Sequence, residues 1–439
     1  MTFYIAVAVF FVAYALICLE TFHKTIIAIV GAAILLVVGV LTQTDAFHSE
    51  EFGVDWNVVF LLISMMIIVN IMKPTGFFEY LAIKSAKLVK GSPYGVMAIF
   101  SFITAFVSAF IDNVTTVLLI TPIIMFICDE LEVNAIPYLI STCLASNIGG
   151  TATLIGDPPN IMIASKAHLN FMDFVIHLTP VILVIMFVYI IMLKIIFRKD
   201  LKTSREAQER IMQLDETGVI KEPVTIIKCL IVLGAVIGGF IFHDKIHLQP
   251  ATIALFGAGV LLLILKTQEL HPILADVEWT SIFFFIGLFI IVGAVVKVGF
   301  IQIMATMVVK ATGHNMLTAT TVILWFSAIA SAIIDNIPFV ATMNPLIIDM
   351  GKQLWPQTPQ DVLTHGQLMP VWWALSLGAC LGGNGTAIGA SANVIVVGLA
   401  EKAGRKISFV KFMVYAFPFW LMSIIVSNVY LWFRYFVLR

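Results

Sequence analysis

The chain has 439 residues, with 25 Lys and Arg against 26 Asp and Glu, a formal net charge of −1, 60% hydrophobic and only 12% charged residues, and a mean hydropathy of +1.03. This excludes a water-soluble globule, and the absence of any dense basic run excludes a nucleic-acid partner. The lipid bilayer is therefore the expected solvent.

The first apolar run, 3–19, has no basic stretch before it and no small-residue cleavage pattern after it. It reads as a first span of a chain starting at Met1, not as a cleaved signal peptide. Apolar runs at 24–42, 54–72, 174–197, 226–242, 248–266, 280–296 and 411–433 follow. Each can cross about 30 Å of hydrocarbon, which takes roughly 20 helical residues. The stretches 94–128, 136–165, 316–350 and 371–400 are as apolar but are interrupted by Asn, Asp, Gly and Pro. The first and third read as re-entrant hairpins, the second and fourth as broken helices. Such backbone is tolerated at membrane depth only inside protein or along a cavity. The five cysteines (Cys18, Cys128, Cys143, Cys229, Cys380) show no C-x-x-C spacing and say nothing about redox compartment.

The chain repeats itself. Asp55-Trp56 recurs as Glu278-Trp279, Gly76-Phe77 as Gly299-Phe300, Ile111-Asp112-Asn113 as Ile334-Asp335-Asn336, and Pro122 as Pro345, each 223 positions on (335 − 112, for example). Gly149-Gly150, Gly156 and Asn160 recur as Gly382-Gly383, Gly389 and Asn393, now 233 on, so ten residues are inserted within 351–367. The expected fold is an all-α polytopic membrane protein of about ten spans in two repeats, 1–197 and 226–439, joined by a cytoplasmic linker at 198–225. Each repeat has five spans, counting its broken helix, plus a re-entrant hairpin. Five is odd, so the second repeat enters from the opposite side and the repeats are of inverted topology, as in many secondary transporters. Placing both termini outside puts 18 of the 25 Lys and Arg in cytoplasmic segments and leaves seven outside, among them Lys166, Lys245, Lys297 and Arg439.

Ionisable groups at membrane depth are functional candidates by default. Asp112 and Asp335 mark the two hairpin turns, each followed by an amide, Asn113 or Asn336, with Thr115 and Thr116 nearby in the first. Two readings stand side by side: an ion or proton site, with Na⁺ held at Asp112, Asn113, Asp335 and Asn336, or simple N-caps of the helices that follow. The broken helices carry Asn147, Gly149, Gly150, Thr151 and Thr153 in the first half, and Gly382, Gly383, Asn384, Thr386, Ser391 and Asn393 in the second. Unwound carbonyls there suit a cation and exposed helix N-termini suit an anion or polar solute, while close helix packing is the rival explanation of the glycines. Asp157 has Ala390 as its counterpart and so can titrate without a twin, which makes it a candidate proton carrier beside its alternative as a turn residue. Cys380 is a candidate metalloid ligand against the plainer reading of a small packing residue. No Walker loop, H-E-x-x-H or nucleophile elbow occurs, so no enzyme activity and no cofactor beyond a coupling ion, H⁺ or Na⁺, is expected.

Ile111 to Pro122, Asn147 to Asn160, Ser331 to Pro345 and Gly378 to Asn393 resemble the arsenite permease and NhaD-type antiporter family of the ion transporter superfamily. The Gly156-Asp157-Pro158-Pro159-Asn160 run is closest to members like the melanosomal P protein. The likeness spans essentially the whole chain. It implies the inverted-repeat fold already read, a homodimer by analogy with distant relatives, and a cytoplasmic ATPase as a partner that some members admit. It implies arsenite or antimonite, Na⁺ exchanged for H⁺, or carboxylates as substrate classes. The hairpin tips here read Asp-Asn where the divalent-anion branch shows Ser-Asn-Thr. The resulting expectation is a cation-coupled transporter of a small ion or metalloid in the cell (inner) membrane. Arsenite efflux leads, with Na⁺/H⁺ antiport, carboxylate transport and an ATPase-driven channel-like subunit as alternatives.

Overall fold

A computed structural model describes residues 1–19, 22–266, 269–313 and 315–438; Arg439, counted above on the outer side, lies outside the described residues. Up to the linker the helices are α1 (Thr2–Leu19), α2 (Lys24–Val37), the short α3 (Gln43–His48), α4 (Trp56–Met72), α5 (Phe77–Leu88), α6 (Pro93–Ser108), α7 (Asn113–Glu130), α8 (Ala135–Gly150), α9 (Pro158–Ala167), the short α10 (Phe171–His177) and α11 (Thr179–Ile196). The linker holds α12 (Arg205–Gln213). Beyond it come α13 (Pro223–Ile246), α14 (Pro250–Ile264), the short α15 (Leu270–Ala275), α16 (Trp279–Lys297), α17 (Phe300–Thr312), α18 (Met316–Ile333), α19 (Asn336–Leu354), the short α20 (Gln360–His365), α21 (Met369–Gly382), α22 (Ser391–Lys402) and α23 (Phe409–Trp432). No strand occurs among the described residues, and eight of the helices are long and apolar enough to cross a bilayer. This is an all-α polytopic membrane protein.

The helices of the hairpin and broken-helix stretches are interrupted at 109–112, 151–157, 334–335 and 383–390, and two of the expected spans are short for about 30 Å of hydrocarbon. α2 has 14 residues and α14 has 15, about 21–23 Å at 1.5 Å per residue. α2 stops because Gly39 turns left-handed at φ 76°, and α14 because Lys266 does so at φ 53°. Conversely α7 and α18, inside the hairpins, reach 18 residues each.

Besides short helices of six to nine residues, two longer ones went unread in the sequence, α5 and α17. Each follows a left-handed glycine, Gly76 at φ 85° and Gly299 at φ 81°. They are too short and too polar on one face for a hydropathy window to register. Each lies on the second helix of its own hairpin, α5 on α7 and α17 on α19.

The linker docks on the first half. Lys221 donates its backbone N–H to Thr75 at 2.9 Å, Lys87 pairs with Glu216, and Arg210 donates to Glu132 at 2.6 Å. The Lys87 ammonium holds the Glu216 carboxyl below its ordinary range.

Packing sorts the helices into two sets. α1, α2, α4, α13, α14 and α16 form one, in which α2 lies along α16 and α14 along α4, so each half lends a helix to the other. The second set contains the hairpins and broken helices. Here α6 packs on α8, α18 on α21, α9 on α19 and α22 on α7. α21 is buried along its whole length and α8 at every residue but Ile136, while α1, α11, α13 and α23 present exposed Phe, Ile, Leu and Val on their outer faces. The polar residues singled out in the sequence therefore sit at the centre, furthest from lipid.

Candidate functional site

Four helices begin at the molecular centre. α7 starts after Asp112, α19 after Asp335, α9 after Asp157 and α22 after Ala390. Asp157 and Ala390 share an extended backbone, φ −143° ψ 131° and φ −146° ψ 144°. Pro158 suits the first helical position because its ring presets φ and its missing N–H would have had no partner there. The unwound segments pass so close to the hairpin ends that a Cβ on Gly150 would stand 2.4 Å from the Gly156 carbonyl oxygen, and one on Gly156 would stand 2.5 Å from that of Ser108. Gly383 and Gly389 repeat this more loosely, at 3.0 Å from Gly389 O and 2.7 Å from Gly383 O. These glycines, with Gly149 and Gly382, thus permit backbone contact between helices, and the packing explanation accounts for them.

Asp157 is the centre of the arrangement. Its carboxylate accepts from Asn113 Nδ2 at 3.3 Å and from Asn336 Nδ2 at 3.3 and 3.4 Å, so the amides of both hairpin tips close on one carboxylate. It does not cap its own helix. Asp157 is 1% exposed, Asn113 3% and Asn336 2%, so the site is shut to solvent in this state.

Two asparagines bind the halves together around it. Asn160 accepts at Oδ1 from Ser376 Oγ at 2.6 Å and Cys380 Sγ at 3.5 Å, and donates from Nδ2 to the carbonyls of Thr151 and Thr153. Asn393, its twin, accepts from Cys143 Sγ and Asn147 Nδ2 at 3.0 Å each and donates to the carbonyls of Gly383 and Thr386 at 2.8 Å. Each amide therefore holds the unwound segment of its own half and reaches the broken helix of the other. Asn147 also accepts from Asn113 at 3.0 Å and donates to Asn384 Oδ1 at 2.9 Å. The hydroxyls fasten backbone: Thr153 to Ala109 O, Thr386 to the twin Ala332 O at 2.6 Å, Thr151 to Asn147 O at 2.7 Å and Thr116 to Ile111 O at 3.3 Å.

The hairpin-tip aspartates do not face each other as a pair. Asp112 accepts from the Thr115 N–H at 2.9 Å and the Thr115 hydroxyl at 2.6 Å, so both its oxygens serve as the N-cap of α7. Asp335 caps α19 through Ile337 N at 3.2 Å with one oxygen. Its other oxygen takes Lys24 Nζ at 2.6 Å and Ser391 Oγ at 2.7 Å. The four tip residues expected to hold Na⁺ do not close on one another, because both amides turn to Asp157. Asn caps a helix about as well as Asp. Asp112→Asn should accordingly keep its melting temperature and coupled flux, while Asp112→Ala loses roughly 1 kcal/mol of stability. A loss of coupling in Asp112→Asn at unchanged stability would return Asp112 to the transport site.

Cys143 and Cys380 engage different asparagines and do not form a common thiol site. No group of three His, Cys, Asp or Glu placed to hold a metal occurs among the described residues. Sequence reasoning left out Asn160, Ser376 and Lys24. Asn160 stood in the quoted motif, and its twin Asn393 was the available signal. Lys24 enters the sequence reading only as one of the 18 Lys and Arg assigned to cytoplasmic segments, although it opens the apolar run 24–42.

A membrane-embedded core of two hairpins and two broken helices meeting at buried amides and a carboxylate defines an integral membrane transporter. Residues 14–378 match the CitMHS citrate transporter family, and the chain belongs to it. It is 44% identical over 434 residues to an uncharacterized transporter of Mycobacterium tuberculosis (strain ATCC 25618 / H37Rv), covering 99% of both chains. It is 43% identical over 434 residues to a 46 kDa membrane protein of Mycobacterium leprae, again covering 99% of both. To the P protein of Mus musculus it is 33% identical, over 97% of this chain and 59% of that one. These likenesses support a transporter and carry no assignment to arsenite.

Proposed function

We propose that the chain is a secondary active transporter of a small carboxylate anion, with protonation of Asp157 as the coupling step. One observation carries this: among the described residues Asp157 is the single carboxylate held by both hairpin tips, where the N-termini of α7, α9, α19 and α22 meet. Each helix N-terminus contributes on the order of half a positive charge, and those of α9 and α22 carry no side-chain cap, which favours an anion. The tip carboxylates are already committed, Asp112 to the α7 cap and Asp335 to Lys24. The charge on Asp157 then decides whether an anion is admitted. Two like charges 4 Å apart repel by about 4 kcal/mol at an effective dielectric of 20, close to a thousandfold in affinity. Protonated Asp157 removes that repulsion, so anion and proton enter and leave together. The substrate is not chemically altered: the only bond made and broken is the O–H of protonated Asp157, and no cofactor beyond the coupling ion takes part. The family description, citrate transporter, supports the same substrate class.

Alternating access is attributed to the two inverted repeats, with both termini outside, the linker in the cytoplasm and the cell membrane as the site of action. A cavity of about 1190 Å³ lined by residues of both helix sets offers the space that such a movement would need. It opens among the loops near Glu51, Lys166, His247 and Lys352 and ends at Leu154, Ile161 and Met162, beside the unwound segment but short of Asp157. Cysteines introduced at Arg205 and at Thr358 should label from the cytoplasm and from outside, respectively. Labelling of both from one face would contradict inversion.

The substrate test is flux into proteoliposomes of citrate, succinate, arsenite, antimonite, Na⁺ and Li⁺ under an imposed proton gradient. Concentrative uptake of a carboxylate is the expected result. Arsenite or Na⁺ flux with no carboxylate flux overturns the reading, and flux that never exceeds equilibration points to a channel.

A further inference from the structure

Lys24 is the first residue of α2, which packs on α1 and α16, whereas Asp335 and Ser391 belong to the second hairpin and the second broken helix. The contact therefore joins the two helix sets. The Lys24 ammonium lies 2.6 Å from Asp335 Oδ2 and 2.7 Å from Ser391 Oγ, and Ser391 itself donates to Asp335 Oδ2 at 2.7 Å. The face of Phe284 lies 4.9 Å from the same nitrogen. A carboxylate, a hydroxyl and an aromatic face around one charge are the surroundings that suit a monovalent cation. The side chains of Lys24 and Asp335 are only 27% and 10% exposed, so screening by water is weak.

The device is one-sided. The positions corresponding to Lys24, Asp335 and Ser391 in the other half are His247, Asp112 and Pro158. Asp112 is closed on Thr115 instead. Burying Asp335 as a bare carboxylate would cost several kcal/mol, so a cation, or a proton on the carboxyl itself, must neutralise it whenever the site is shut.

We propose that Lys24 is a tethered cation, filling from α2 a monovalent cation position formed by Asp335 and Ser391, and that it makes the protein independent of free alkali cations. Removing the ammonium should convert the protein into one that needs Na⁺ or K⁺ at that position. Attachment to α2 also means that the charge leaves Asp335 when the two helix sets separate. The consequence for flux rests on the transport reading above, whereas occupancy of the position does not.

The experiment compares purified wild type, Lys24→Met and Lys24→Met/Asp335→Asn in choline, Na⁺ and K⁺ chloride at equal ionic strength. Met keeps an aliphatic stem against Phe284 while removing the charge. Thermal unfolding should show wild type indifferent to the cation. Lys24→Met should be less stable in choline and restored saturably by Na⁺ or K⁺, and the double variant should be indifferent again. If Lys24→Met can be recovered only from cells kept and lysed in Na⁺, that is the same result in stronger form. A Lys24→Met protein no more responsive to alkali cations than wild type overturns the proposal, as does failure of Lys24→Met to fold in every salt while the double variant folds. In proteoliposomes, flux should become Na⁺- or K⁺-dependent in Lys24→Met only. If wild type carries none of the substrates tested, the transport reading fails while the unfolding data still decide the role of Lys24.

Discussion

Asp157→Asn is expected to give a folded, extractable protein whose substrate flux ignores the proton gradient. The replacement is isosteric, and an Asn at 157 can present one carbonyl oxygen to Asn113 and Asn336, which now approach the carboxylate at 3.3 Å. What it removes is the proton site. If one proton travels per cycle, a gradient of one pH unit is worth about 1.4 kcal/mol and supports about a tenfold accumulation. In the variant the accumulation ratio should fall to one at every imposed gradient, while downhill flux persists, because a neutral residue permanently mimics the protonated state. Flux against pH at matched protein amounts decides the matter. An Asp157→Asn protein with the wild-type pH profile would remove Asp157 from the coupling. The carriers left to consider would then be Asp335, released from Lys24, and Asp112.

Gly149→Ala should cost the most stability of the glycine-to-alanine changes in the hairpin and broken-helix set. A Cβ there would stand 2.0 Å from the Ala105 carbonyl oxygen and 2.4 Å from Ala105 Cα, a backbone contact that no rotamer change relieves. α6 and α8 would have to part, at about 3 kcal/mol, the upper end of the usual overpacking cost. Ala105→Gly should fail to rescue it, since the obstructing atoms are backbone. Gly382→Ala, the equivalent change in the other half, meets Ala328 only at 2.8 Å and should be milder. Gly398→Ala, with nothing within 4 Å, should be neutral or slightly stabilising in its helix. Thermal unfolding of the three variants in one detergent gives the order. Equal melting temperatures for Gly149→Ala and Gly398→Ala would mean that α6 and α8 are not in contact at this point.

Hydropathy alone determined that the chain lives in a bilayer, because a run such as 280–296 leaves the backbone no alternative to a helix in hydrocarbon. Self-similarity alone placed the hairpin turns at Asp112 and Asp335 and the broken helices at the two Gly-Gly pairs, since interrupting residues at equal offsets are a local, one-dimensional signal. The same local signal was blind to α5 and α17, whose polar faces dilute the hydropathy, and it ran α2 past the left-handed Gly39 and α14 up to the left-handed Lys266.

The use of each polar side chain was decided only by tertiary structure. From the sequence Asp112 and Asp335 look equivalent, yet one closes on Thr115 three residues away and the other meets Lys24, 311 residues distant. From the sequence Asp157 reads as a turn residue or a proton carrier with equal reason, and nothing there foretells that Asn336, 179 positions away, turns toward it. Asn160 and Asn393 reveal their common role only when each is seen holding its own unwound segment and the opposite half at once. The physical reason is the same in each case. Spans and breaks follow from what a segment can bury and bond within itself, whereas a buried polar atom must find its partner wherever the fold brings one. Here the interlocking of the two halves brings Asp335, Asp157, Asn160 and Asn393 each a partner from more than a hundred and fifty positions away.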